Sequence, residues 1–367
     1  MKPQATTRIV RLDQSVGLST LFRPLPKAKV RPTLDVEYRP KNGGLTLRFS
    51  AREALGMPEQ SLLLTLLELA QEQYEGYRRD VVVIDRHAQG IGLDLWRAIH
   101  DGQVAADGET LHIRTSWHEL AGRCGTHGGR SQQLREEQLR RLCEVAVWEK
   151  ANDTLRSFRQ SRLVTVVQGN DLRLHLAVNC RLAGAAMGVV LYAQVSLAER
   201  QALSTDTTQA THAFLSTTLR PGRSMRIGVA TLMQRLWSDL PGSVPEGTLR
   251  ARSKAVRDAL DAVGTLNAWS VTWPRAGVAE IRRKRRGVQP STQMGTRPGL
   301  ASRPQDEPCA VSATTEYFDA TRFLVPSAVA QSAPLPTVSD MDFRQRTEVD
   351  VHIEDCGCEV SQEADAS

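Results

Sequence analysis

Residues 248–286 read TLRARSKAVRDALDAVGTLNAWSVTWPRAGVAEIRRKRR, and this stretch decides the fold. At about 100° per residue, Leu249, Val256, Leu260 and Val263 fall within about 60° of one another. They mark the buried stripe of a helix over 248–263, closed by Gly264. Arg250, Lys254 and Arg257 lie on one flank; Thr248 and Arg252 lie on the other, and Ser253 completes the candidate contacts. Outermost in the first turns stand only Gly247 and Ala251. Small residues flanked by cations let a helix descend into a major groove while Arg and Lys reach guanine edges or phosphates. The competing reading of this helix alone is a solvated basic face on a core element.

After the helix, 268–273 and 278–281 alternate apolar and polar residues around Pro274, Arg275, Ala276 and Gly277, a hairpin signal. Arg275 stands at its tip, and Arg282, Arg283, Lys284, Arg285 and Arg286 follow its last strand. As a wing over the phosphate backbone, these cations position a protein without reading sequence. A linker or nonspecific basic patch is the alternative.

Working outward, 205–217 reads as a helix, 224–227 as a short strand, and 229–237 as a helix with Leu232, Met233 and Leu236 inward. Helix, strand, helix, turn, helix, hairpin is the winged-helix order. The first half repeats it. A hairpin pairs 34–38 with 45–49 around Lys41, Asn42, Gly43 and Gly44, and a Leu-rich helix begins near Pro58. A strand follows at 111–114, then a helix over 117–124 with a Ser116/Glu119 capping box, a long helix from Ser131 to about Trp148, and strands at 163–167 and 172–176. In that long helix Glu136 and Glu137 are mixed with Arg135, Arg140 and Arg141, so charge alone does not commit it to DNA. Arg130, Gln133 and Arg135 are its possible secondary DNA contacts; packing against a second protomer or partner is the equal alternative.

The chain has 367 residues, 41% apolar and 24% charged, enough for two folded domains. Residues 287–367 carry 5 Arg and 13 Asp or Glu, a charge of −8; from totals of 47 and 41 this leaves 42 basic and 28 acidic residues, or +14, in 1–286. A basic body predicts a polyanionic partner, because neutralised phosphates release counterions. The expected organisation is a flexible N-terminus over 1–16, a first winged-helix domain over 17–178, a second, DNA-reading one over 179–287, and a mostly disordered acidic tail over 288–367. The fold class is α+β. The tail is rich in Pro, Ser, Thr, Gln and Ala and buries too little apolar surface to offset its ordering entropy.

No apolar run reaches the roughly 20 residues a bilayer needs; the uncharged stretch 182–198 is read as buried core. Six cysteines without a secretion signal point to the cytoplasm, with Cys124, Cys143 and Cys180 as packing residues. Cys356 and Cys358 lack a second pair or a His cluster, so no metal and no cofactor are expected. Catalytic signatures are missing too. There is no Gly-Lys pair for a phosphate loop and no Gly-x-Ser-x-Gly elbow, and Gly122 replaces the second His of a zinc-protease pattern begun by His118 and Glu119. Isolated histidines such as His87, His100 and His212 read as structural or surface residues. These absences argue against an enzyme.

The segment Gly17, Leu18 to Phe22, Arg23, with Leu34-Asp35-Val36, Leu55-Gly56, Leu174 to Asn179, Ala186-Met187-Gly188 and Thr248-Leu249-Arg250 to Arg257, resembles the RepC replication initiators of IncQ-type broad-host-range plasmids. The resemblance runs from Gly17 to about Gly287 and extends to the wider class of initiators with two winged helices. It implies binding to origin iterons as double-stranded DNA, local duplex opening, and work with a plasmid-encoded helicase and primase, with a homodimer possible. The acidic tail departs from the family pattern. Two other readings stay open: a winged-helix transcriptional repressor, and a protein-interaction module with no salt-sensitive DNA affinity.

Overall fold

In a computed structural model of the chain, the described residues are 8–285 without 27–29, 41–44, 78–81, 102–107, 126–130, 152–157, 170–172 and 238–243. The turn expected at 41–44, Arg130, Arg286, the tail over 288–367 and its Cys356 and Cys358 therefore lie outside the described residues.

The chain opens with β1 (Ile9–Asp13) and α1 (Gln14–Leu18), then the antiparallel hairpin of β2 (Leu34–Tyr38) and β3 (Leu45–Ala51). Helix α2 (Met57–Gly76) begins after Gly56, whose N–H donates to the Glu59 carboxylate at 2.9 Å and so satisfies an amide at the helix start. Its residues Leu62, Leu63, Leu64, Leu66, Leu67 and Leu69 are all buried, as are its polar residues Glu59, Thr65 and Glu68, so the helix runs through the first core. Then come β4 (Val83–Ile84), α3 (Ile91–Ile99), β5 (Thr110–Thr115), α4 (Trp117–Arg123), α5 (Ser131–Cys143), β6 (Ala146–Ala151), β7 (Phe158–Arg162), β8 (Val164–Gln168) and β9 (Leu174–Val178). Two antiparallel sheets form, ordered β2-β3-β6-β7 and β4-β5-β9-β8. Helix α2, strand β5, helices α4 and α5 and the pair β8-β9 make the first winged helix, with β6 and β7 inserted to extend the neighbouring sheet.

Two local expectations change here. Ser116 caps α4 by accepting from the Glu119 N–H at 3.2 Å, but the Glu119 carboxylate turns to Thr115 and Arg123 instead of closing the box. The long helix expected to reach Trp148 stops at Cys143, because Val147 pairs with Phe49 and Trp148 with Arg48 in the sheet. Val147 is β-branched and buried on β6, where a pleated surface suits it better than a helical turn.

The second half runs α6 (Cys180–Met187), β10 (Tyr192–Ser196), α7 (Leu197–Gln201), α8 (Asp206–Thr218), β11 (Ser224–Gly228), α9 (Val229–Trp237), α10 (Glu246–Gly264), β12 (Trp269–Arg275) and β13 (Val278–Arg283). From α8 onward this is a second winged helix, with its sheet ordered β11-β13-β12 as the first is ordered β5-β9-β8. Leu215, Leu232, Val256, Leu260, Val263, Trp269, Ala279 and Ile281 form its buried core.

The expected boundaries shift. Residues expected in a flexible N-terminus form β1, antiparallel to β10 with Ile9 opposite Ser196, and Val10 and Leu12 are buried. Leu182, Ala183, Ala186, Val195 and Leu197 belong to the first core, so the cores meet near α7 rather than at residue 179. Only the two ends of 182–198 are buried; Val189, Val190, Leu191 and Tyr192 are exposed.

Adjacent residues of α7 tie the two cores together. Arg200 donates to the Met57 carbonyl and the Ser61 hydroxyl of α2, each at 3.2 Å, and to the Gln209 carbonyl of α8. Burial pushes its pKa down to about 10, which still leaves it charged at neutral pH. Glu199 reaches the other way, accepting from the Trp269 indole at 3.0 Å and meeting the buried His212 at 2.9 Å. Burial pushes the Glu199 carboxyl up, but the hydrogen bonds from His212 and Trp269 prevail and hold it below its ordinary value.

Candidate nucleic-acid interface

The first turns of α10 stand clear of the core. Pro245 precedes the helix with its carbonyl accepting from the Thr248 and Leu249 N–H groups, and residues 245–251 are all exposed. Burial begins only at Val256 and continues through Ala259, Leu260 and Val263. Leu249, expected in the buried stripe, is 41% exposed, because the helix projects almost two turns beyond the elements that cover it. Gly247 and Ala251 lie in this projecting part, and a Cβ on Gly247 would meet nothing within 4 Å.

Arg250 is paired to Glu246 one turn back, with both side chains more than three-quarters exposed, an arrangement that holds a side chain only weakly. Arg252 lies 4.9 Å over the Trp237 ring at the end of α9, so its guanidinium is held by a stacking contact. Lys254, Arg257 and Thr248 are exposed, and Ser253 is half-buried. Cations thus occupy the first three turns, while Asp258 and Asp261 follow; Asp261 accepts from the Trp273 indole at 2.9 Å.

The hairpin turns at Arg275 and Val278, with Gly277 at φ +76°, a left-handed conformation that favours glycine. Arg275 is exposed at this tip, on the end of the hairpin that points back along α10. The cations from Arg282 onward are not at the tip. Arg283 is opposite Trp269 and the Lys284 N–H donates to the Ala268 carbonyl, so they lie at the hairpin base, about 20 Å from the turn at roughly 3.3 Å per residue. Arg283 leaves the surface altogether. The alternation that buries Ala279 and Ile281 also buries Arg283, which donates to the carbonyls of Ser216 and Leu219 at 3.0 Å and of Gln194 at 2.7 Å. Arg282, Lys284 and Arg285 point outward.

The first winged helix differs in charge. Arg135 of α5 is 6% exposed and bonded to Gln138, so it is withdrawn from any duplex. Arg140 pairs with Glu144, and Arg141 with Glu53, Glu59 and Glu137. Gln133 is exposed beside Gln132, Leu134, Glu136 and Glu137. Among the described residues, α5 therefore carries no cation that is both exposed and unpaired.

No group of three or more potential metal ligands occurs among the described residues. Cys124, Cys143 and Cys180 are free thiols, and burial pushes those of Cys143 and Cys180 up to about 12. No described helix is long and apolar enough to cross a membrane.

A family model described as Replication protein C (RepC) matches residues 7–285. No curated protein matches the chain. Among solved structures, a crystal structure of selenomethionine derivatives of domains 2 and 3 of RctB is similar over 71% of this chain and 94% of that one, at 7% identity and a TM-score of 0.42. A second RctB structure, of domains 2–3, covers 71% and 95% at 10% identity and a TM-score of 0.39.

Proposed function

The chain belongs to the replication protein C family, and from that premise we propose that it initiates plasmid replication by binding repeated duplex sites at an origin. In this reading α10 enters the major groove with Gly247 and Ala251 foremost. Arg250, Arg252, Lys254 and Arg257 reach base edges or flanking phosphates, Thr248 and Ser253 supply hydroxyl contacts, and Arg275 at the hairpin tip rests on the backbone. The observation that carries the proposal is the projection of the α10 first turns beyond the core, cationic on both flanks and bare between them.

The protein is then a non-enzymatic, cytoplasmic DNA-binding protein without a cofactor. Duplex opening and recruitment of helicase and primase, the steps the family resemblance implies, follow binding. The first winged helix, with its described α5 cations buried or paired, serves contacts between proteins, a homodimer among them.

Footprinting the full chain on the origin of its own plasmid tests this. Protection of direct repeats at helical-turn spacing is expected. Equal affinity for the origin and for random duplex would overturn it.

A further inference from the structure

The cations at the hairpin base are joined by two from the loop after α8. The Arg223 N–H donates to the Arg220 carbonyl at 3.1 Å, the Arg283 N–H donates to the Arg223 carbonyl at 2.9 Å, and the Gly222 N–H donates to the Arg283 carbonyl at 2.7 Å. Gly222 has φ +85°, and a Cβ there would stand 2.8 Å from the Arg285 side chain, so the turn and the arginine are in contact. Arg282 lies opposite Ser224, next to this turn. Arg220, Arg223, Arg282, Lys284 and Arg285 are thus gathered in one place, all exposed and none in an ion pair among the described residues. Arg226 shares their sheet face but is neutralised by Glu280.

This patch is remote from the projecting end of α10. Strand β12 runs back along the helix, Val271 touching Gly264 and Trp273 bonded to Asp261, so the hairpin base lies beside the helix C-terminus. From Gly247 to Gly264 the helix rises about 26 Å at 1.5 Å per residue. A straight duplex docked on the α10 first turns and the Arg275 tip crosses one end of this domain, while five exposed cations, in no ion pair among the described residues, stand at the other.

We infer that the hairpin base is a second phosphate-binding surface that holds a separate duplex segment, so that one chain bridges two stretches of DNA. The inference rests on the proposed DNA binding by α10. Exposed cations outside any ion pair among the described residues suit a backbone with one charge per about 1.7 Å, and the patch offers no groove-entering element, so its contacts are independent of sequence.

The test tethers a random-sequence duplex of about 30 base pairs to beads at low salt, adds the full chain, and measures capture of a second, fluorescent duplex of the same length. The wild-type chain is expected to capture it. A variant with Gln at positions 220, 223, 282, 284 and 285 should lose second-duplex capture about tenfold while keeping its hold on the tethered duplex, and Arg282→Gln with Arg285→Gln should fall between. All five side chains face solvent, so unchanged thermal unfolding is the control for folding. A variant with Gln at 250, 254 and 257 should also bridge poorly, through loss of the other surface. Wild-type capture by the five-site variant, or no capture by the wild-type chain that binds the tethered duplex, overturns the inference and leaves the α10 reading standing. Failure of the wild-type chain to bind the tethered duplex overturns both.

Discussion

The Arg283 guanidinium lies 5.1 Å over the ring of Trp269, its partner across the β12–β13 pair. The same guanidinium serves three backbone carbonyls, two of them at the C-terminal end of α8, where helix geometry leaves acceptors open. Trp269 in turn donates to Glu199. The hairpin is thereby fastened to α8 and α7 by a continuous buried network, which fixes the wing relative to the helix it flanks.

Replacing Arg283 by Met keeps the volume but leaves the buried carbonyls of Ser216 and Leu219, and the part-buried one of Gln194, without this donor. Urea unfolding should show a loss of about 2–4 kcal/mol, whereas Arg282→Met, outward on the same strand, should stay within about 0.5 kcal/mol. Equal stabilities of the two variants would contradict the network.

Stability should fall on acidification from neutral pH. Burial is the main cause lowering the pKa of His112, to about 4, and it also lowers those of His100 and His212. The unfolded chain, with His near 6.5, takes up protons that the folded chain refuses, so stability present above about 6.5 is lost as pH falls toward 4. For His112 alone the full shift sets an upper bound of about 3 kcal/mol, reduced by solvent screening. Asp13 and Glu149, whose burial raises their pKa, act in the opposite sense once acid nears the carboxylate range. Melting temperatures measured from pH 7.5 to 4.5, with His112→Gln as the flatter comparison, check this; a pH-independent midpoint would refute it.

Much of this architecture is legible in the sequence because its signals are local. The periodicity of α10, the turn at Gly277 and the order of elements around them all fall within single windows of the chain. What is not legible depends on distant partners. Ile9 is read as a flexible end because its strand partner, Ser196, lies far along the chain. Arg141 looks available until Glu53 and Glu59, more than 80 residues earlier, are folded against it. Arg283 is the instructive case, since a run of five basic residues masks the strand alternation that continues into it from Ala279 and Ile281. Carrying the alternation on through the run is the one sequence signal that could have found it.

Gly247 separates fold from function. Open space surrounds its Cα, so Gly247→Ala should stabilise the helix by about 0.5 kcal/mol, and Gly247→Leu should fold normally. Gly247→Leu should nevertheless weaken DNA binding, because the added side chain meets the groove floor. Unimpaired binding by a folded Gly247→Leu chain would place the groove contact elsewhere.

Arg200 couples the two cores. Arg200→Leu removes the donor shared by α2 and α8 and should cost about 3 kcal/mol, with the single unfolding transition splitting into two in calorimetry. One unshifted transition would mean that other contacts suffice.

The most direct test of the account is a salt titration of DNA affinity for the full chain and for a variant with Ala at positions 250, 254 and 257, on origin repeats and on random duplex. Each cation that reads a base edge should contribute about 1–3 kcal/mol to discrimination, and each lost phosphate contact should lower the salt slope by about 0.9. The account predicts that the variant folds, loses most of its preference for the repeats and shows a flatter slope. A variant that distinguishes repeats from random DNA as sharply as the wild-type chain would show that α10 is not the reader.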